Sequence, residues 1–162
     1  MNNKICIRAY KISDAQHLVN IYYNTIHHIN IKDYSEEQVE AWAPTSSLEL
    51  SVWFKKWKAI PPLVASIDGI VVGFVELESS GHIDCFYVHH KFQGRGIGTS
   101  LMKEVFKTAN HLNLKKVFAE VSITAKPFFE AKGFKVIKQQ EVSIRTVKLV
   151  NFVMEKFFNS NF

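Results

Sequence analysis

The chain has 162 residues, 47% of them hydrophobic and 22% charged, and a net charge of +5. This suits one domain over residues 1–162 with a real core and excludes a disordered chain, and the basic residues are too scattered to indicate a nucleic-acid partner. No apolar run reaches the length of a membrane span, no secretory h-region precedes Arg8 and Lys11, and two cysteines, Cys6 and Cys85, make no disulfide framework, so a reducing cytoplasm is expected.

Residues 5–10 alternate weakly and predict a first strand. Ser13, with Gln16 three residues on, reads as a capping box, and Ala15, Leu18, Val19, Tyr22, Ile26 and Ile29 follow as one apolar helical stripe. Ser35 and Gln38 repeat the box before a short helix with Val39 and Trp42 that ends at Pro44. Leu48, Val52, Trp53 and Trp57 predict another helix, stopped by Pro61-Pro62. A hairpin comes next: residues 63–67, an Asp68-Gly69 turn, then residues 70–78. Ser79-Ser80-Gly81 turns the chain into a strand over 82–88, and a glycine loop leads into a helix with Ile97, Leu101, Val105, Ala109 and Leu112 on one face. A strand over 116–121 and a helix over 124–132, closed by Gly133, precede strands over 134–141 and 144–157. The order β-ααα-β-β-β-α-β-α-β-β is mixed α/β, a central sheet with helices on both faces.

The loop Gln93-Gly94-Arg95-Gly96-Ile97-Gly98 holds three of the seven glycines. Strand, glycine loop and helix is how a backbone builds an anion cradle: glycines let N–H groups approach a ligand, and the positive end of the helix dipole faces it. A triphosphate loop needs a lysine where the chain continues with Thr99 and Ser100, and the dinucleotide fingerprint needs G-x-G-x-x-G, whereas these glycines are spaced G-x-G-x-G. The residues alone leave a phosphate cradle and a plain glycine-rich helix cap both open.

Read as Gln-x-x-Gly-x-Gly, residues Gln93, Gly96 and Gly98 resemble the acetyl-CoA pyrophosphate loop of the GNAT superfamily of N-acetyltransferases. Ala125, Phe128-Phe129 and Gly133-Phe134 resemble that superfamily's late-helix signature, and the element order resembles its fold over nearly the whole chain. The resemblance implies a splayed sheet whose two central parallel strands part around the pantetheine arm. It implies backbone contacts to acetyl-CoA from Phe86, Tyr87 and Val88, and a pyrophosphate held by Gly94, Arg95, Gly96, Ile97, Gly98 and Thr99, with Gln93 tying the loop down. It implies transfer of an acetyl group to a primary amine: a small molecule, a peptide N-terminus or a lysine. The alternative is a non-catalytic acyl-CoA sensor on the same fold. A homodimer is compatible with either.

Acetyl transfer needs a proton taken from the amine. His82 and Asp84 are two residues apart on a strand and so share a face, with Phe86 and Val88 continuing it and Ile83, Cys85 and Tyr87 opposite. The superfamily often carries a general base at this spot, so His82 is the expected base and Asp84 its partner; the other reading is a strand-edge histidine with no catalytic role. The superfamily's proton-donating tyrosine is replaced by Phe129 and its cofactor-contacting asparagine by Ser122, both still expected beside the cofactor. Tyr22, Tyr23, Tyr34 and Tyr87 are unranked candidates for the missing acid. Tyr22, His28, Tyr34 and Trp42, in the stretch that sets specificity in the superfamily, are the expected acceptor wall. His27 and His28 point about 100° apart on a helix with no cysteine or carboxylate cluster beside them, so no metal is expected.

Overall fold

The computed structural model describes residues 4–159. Four strands form one antiparallel sheet in chain order: β1 (Ile5–Ala9), β2 (Leu63–Ile67), β3 (Ile70–Leu77) and β4 (Ile83–Val88). Three more, β5 (Lys116–Ser122), β6 (Lys135–Ile144) and β7 (Val147–Phe157), form a second antiparallel sheet in the order β5-β7-β6. Among the described residues the sheets are bridged by one parallel pair, His82 with Phe118, where the Phe118 N–H donates to the Gly81 carbonyl at 3.0 Å.

Helices cover both faces. α4 (Ile97–His111) lays Ile97, Leu101, Met102, Val105 and Ala109 against one face, packing on Ala65, Val72, Val75, Val117 and Met154. α1 (Ala15–His28) and α3 (Leu50–Ala59) cover the other with Leu18, Val19, Trp53 and Trp57 against Val64 and Phe74. α2 (Glu36–Trp42) joins Ile26, Tyr34 and Leu149 in a third cluster, and α5 (Lys126–Ala131) sits beside β5. β3, interior to its sheet and covered on both faces, reads as an unbroken buried run for that reason.

Where the expected elements shift, local chemistry says why. The cap before α1 is not Ser13: residues 12–14 make a 3-10 turn in which the Asp14 carboxylate accepts from the Lys11 N–H at 2.8 Å and from both terminal guanidinium nitrogens of Arg8. Ser35 and Gln38 do form the reciprocal box at the start of α2. Val52 is 71% exposed, one position off the face that buries Trp53 and Trp57, and Leu112 is half exposed just past the end of α4. The last hairpin turns at Arg145-Thr146, both at positive φ, so β6 runs three residues further than its apolar pattern.

Candidate active site

β4 pairs with β3 on one edge; on the other, among the described residues, the bridge to β5 is at His82, just before β4 begins. Beyond that bridge β4 and β5 part. The His89 N–H donates to the Val72 carbonyl, so the antiparallel alternation turns the Tyr87 backbone toward Phe74 and leaves the Phe86 and Val88 backbone groups facing the gap. A cavity of about 340 Å³ opens here, floored by Phe86, Val88, Ala119 and Val121 and rimmed by the glycine loop. A second, of about 260 Å³, lies against Tyr22, Trp53, Lys56 and β7. Trp42, Asp84, Tyr87, Glu120 and Ser122 line both, so the two spaces meet between β4 and β5.

The glycine loop edges the first cavity. Gly94 and Gly96 have φ of +72° and +82°, a backbone that side-chain-bearing residues rarely adopt, and Gly96 is the N-cap of α4. The first-turn N–H groups of Ile97, Gly98 and Thr99 have no partner inside the helix, and these residues line the cavity. A Cβ on Gly98 would come within 3.2 Å of the Phe128 ring, so its bare Cα is what lets α5 close over the start of α4. Gln93 Nε2 donates to the Val88 carbonyl at 2.7 Å, and Thr25 Oγ donates to the same oxygen at 2.9 Å. Arg95 lies over the Phe92 ring, its guanidinium carbon 4.9 Å from the centroid. Ser122 Oγ accepts from the Ala125 N–H at 3.0 Å, which ties down the turn into α5.

The expected pairing of His82 with Asp84 is not what the strand builds. Val75 pairs with Phe86 but Leu77 pairs with Ile83, so β4 carries one extra residue there, a bulge. Alternation flips across it. Ile83 packs on the α4 side with Phe86 and Val88, while Cys85 and Tyr87 pack on the α1 side. Asp84 turns to Lys56, 2.8 Å from its Nζ. His82 sits between two other carboxylates: Nδ1 with Glu78, and Nε2 with Glu120 Oε2 at 2.6 Å. Burial opposes its charge, but the hydrogen bonds and negative charges of Glu120 and Glu78 outweigh burial and raise its pKa above the ordinary imidazole value. His82 lines neither cavity; Asp84 and Glu120 line both.

Of the expected acceptor wall, Tyr22, Tyr34 and Trp42 line the second cavity. His28 lines neither: its Nδ1 bonds the Asn24 carbonyl at 2.8 Å and its ring stacks on His90. Tyr34 is a clamp as well as a wall, donating to the Val150 carbonyl at 2.7 Å and accepting from the Ile123 N–H at 2.9 Å. Tyr34→Phe should cost about 1–3 kcal/mol, because it strands two partly buried partners, one on β7 and one in the turn after β5. Urea denaturation measures this, and an unchanged midpoint would mean that water replaces the hydroxyl.

Sequence reasoning missed Glu120 and the group behind Asp84. Glu120 shares the outer face of β5 with Phe118 and Ser122, opposite the core residues Val117, Ala119 and Val121, so strand alternation was the available signal. Glu76 is fully buried; it accepts from Trp57 Nε1 at 3.0 Å and from Lys56 Nζ at 3.2 Å. Glu76, Asp84 and Cys85 converge closely enough to suggest a metal site, but the Lys56 ammonium is their common partner. Phe129 is 4% exposed and meets the rings of Phe86, Phe128 and Phe134, forming an apolar wall of the first cavity. Of the four candidate proton donors, Tyr87 alone lines both cavities; burial holds its hydroxyl well above the ordinary phenol value.

A family model described as an acetyltransferase (GNAT) domain matches residues 30–156. The uncharacterized N-acetyltransferase YafP of Escherichia coli (strain K12) is 34% identical over 152 residues, covering 94% of this chain and 95% of that protein. A GCN5-related N-acetyltransferase from Rhodopseudomonas palustris, also described as a class-II aminotransferase, superposes with a TM-score of 0.89 at 31% identity, covering 94% and 95% of the two chains. The PaiA N-acetyltransferase of Thermoplasma acidophilum, solved with coenzyme A, has the same fold at a TM-score of 0.74 and 23% identity, covering 96% of this chain and 99% of that one. The splayed α/β sheet with a glycine loop at the parting strands is a GNAT fold. The chain belongs to the GNAT acetyltransferase family.

Proposed function

We propose that this protein is an acetyl-CoA-dependent N-acetyltransferase that acetylates a small primary amine with an apolar body. The observation that carries the reading is that two cavities of different character meet at one point between β4 and β5. The first suits the cofactor. The glycine loop and the first turn of α4 would hold the pyrophosphate, and Arg95, which lies over Phe92 and does not line the cavity, would have to swing toward it to add charge. The Phe86 backbone groups and the Val88 N–H, which face the gap, would pair with the pantetheine arm, and these N–H groups would polarise the thioester carbonyl. Acetyl-CoA supplies an activated acyl group with a thiolate leaving group.

The second cavity suits the acceptor. Tyr22, Trp42, Trp53 and Tyr87 offer ring faces to an apolar body or a cation, and Asp84 and Glu120 place carboxylates where an ammonium would sit. Lys56 lies there too, but Glu76 and Asp84 pair it. An amine near pKa 10.4 must be deprotonated before it attacks, which puts a proton acceptor at the crossing. Two free cysteines, one buried, support a cytoplasmic setting.

The test is thiol release from acetyl-CoA against phenethylamine, agmatine, free lysine and an alanine-initiated peptide. Turnover with the aromatic amine above the peptide is expected. Equal thermal shifts with ATP or NAD and none with coenzyme A would remove the cofactor assignment.

Phe129→Tyr tests the missing acid. The ring sits among three other phenylalanine rings, so an added hydroxyl should crowd an apolar wall and cost about 1–3 kcal/mol. No gain in kcat is expected below pH ~8.5, where an unassisted thiolate is the poorer leaving form. A clear gain would show that proton delivery limits turnover.

A further inference from the structure

We infer that Glu120 is the group that takes the proton from the acceptor amine, and that His82 and Glu78 stand behind it as positioning residues. The inference rests on the N-acetyltransferase reading and deepens it.

Three observations carry it. The first is place. Glu120 lines both cavities, as a base between acyl donor and acceptor must, whereas His82 lines neither. The second is commitment. Asp84 shares that crossing, but its carboxylate is 2.8 Å from the Lys56 ammonium, which also binds Glu76. Glu120 uses Oε2 for His82 and leaves Oε1 without a hydrogen-bond partner among the described residues. The third is what holds it. Glu78, His82 and Glu120 form a row across the bridge between the two sheets, with the imidazole gripped at both nitrogens. The raised pKa of His82 agrees with this row. An imidazole with each ring nitrogen held by a carboxylate has no free nitrogen to offer the amine, but it can fix the orientation of Glu120.

The proton balance closes without a dedicated acid. One proton passes from the substrate ammonium to Glu120, freeing the nitrogen lone pair. The C–N bond forms at the thioester carbonyl and the C–S bond breaks. The surplus proton left on nitrogen neutralises the departing thiolate, giving the amide and a thiol. Glu120 returns its proton to solvent when the products leave. Phe129 in place of a tyrosine is consistent with this route.

The experiment uses the full chain, acetyl-CoA, and the amine turned over fastest in the panel above. Glu120 has a half-exposed side chain, so Glu120→Gln keeps shape and threatens no core. Expected is a fall in kcat of roughly 10²–10⁴-fold with the coenzyme A dissociation constant unchanged. The residual rate should climb as pH approaches the amine's own pKa, since only amine already neutral can then react. Glu120→Ala should regain part of the loss on addition of formate, a rescue that a structural role would not give. His82→Gln should lose less than Glu120→Gln. Wild-type turnover by Glu120→Gln, or a larger loss in His82→Gln with the fold intact, overturns the inference and leaves the acetyltransferase reading standing. A wild-type protein that binds coenzyme A but releases no thiol with any amine overturns both.

Discussion

Gly96→Val should abolish the stabilisation of this protein by acetyl-CoA. At a ligand concentration 100 times its dissociation constant, the wild-type fold should gain about 2.7 kcal/mol. Gly96 is the N-cap of α4 at φ +82°, the place where the loop must present bare backbone to the cavity. A valine there meets two obstacles. A β-branched side chain at positive φ strains the backbone by about 1–2 kcal/mol, and its methyl groups occupy the approach to the N–H groups of Ile97 and Gly98. Gly69→Val separates them. Gly69 has a φ of +79° in the β2–β3 hairpin turn and a Cβ there meets nothing within 4 Å, so that variant carries the strain alone. Thermal shifts with and without acetyl-CoA should show both variants melting lower, with the ligand shift kept in Gly69→Val and lost in Gly96→Val. A full ligand shift in Gly96→Val would move the pyrophosphate away from this loop.

The glycine loop was legible because its signal is local. A strand, three glycines and an amphipathic helix within thirty residues define one backbone shape wherever they occur, and the structure builds that shape over β4, the loop and α4. The late helix was legible for the same reason, Gly133 ending it at φ +92°. The His82 environment was not. Simple alternation puts Asp84 beside it; the bulge that breaks alternation depends on how β4 registers on β3, and no residue within β4 announces it. Glu78 and Glu120, the real neighbours of His82, lie four and 38 residues away in sequence, and the second arrives only because the two sheets touch at that bridge. The turn at Arg145-Thr146 escaped because positive φ at two residues with side chains has no composition signal of the kind glycine or asparagine gives. The His82 miss is a case where tertiary pairing overrode a pattern that was correct as far as it went.

The buried carboxylate of Glu76 has the same tertiary origin and carries the largest expected effect on stability. It is an acid one residue from the end of the apolar strand β3, and it is fully buried. Two donors from α3 hold it, Trp57 Nε1 and Lys56 Nζ, and Lys56 reaches on to Asp84 at the second cavity. Burial pushes the Glu76 carboxyl above the usual range, and the Lys56 charge only partly opposes this. Glu76→Ala leaves the indole N–H with no acceptor in the core and opens a void, so it should cost about 3–5 kcal/mol, at roughly 2–4 °C of Tm for each kcal/mol in a chain of this length. Glu76→Gln should be far milder, because the amide oxygen still accepts from Trp57, no charge is buried, and Lys56 keeps Asp84. The pH dependence follows from the same asymmetry. A carboxyl whose folded pKa is raised holds its proton longer in the native state than in the unfolded chain, so its contribution to stability falls as pH rises from about 4.3 through the folded value. Glu76→Gln removes that slope. Urea unfolding at pH 5 and pH 8 should therefore show the Gln variant gaining on the wild type at the higher pH. A constant difference at both pH values would mean that Lys56 fully compensates the buried charge, and a Glu76→Ala variant as stable as wild type would mean that the carboxylate contributes nothing to holding α3 on the sheet.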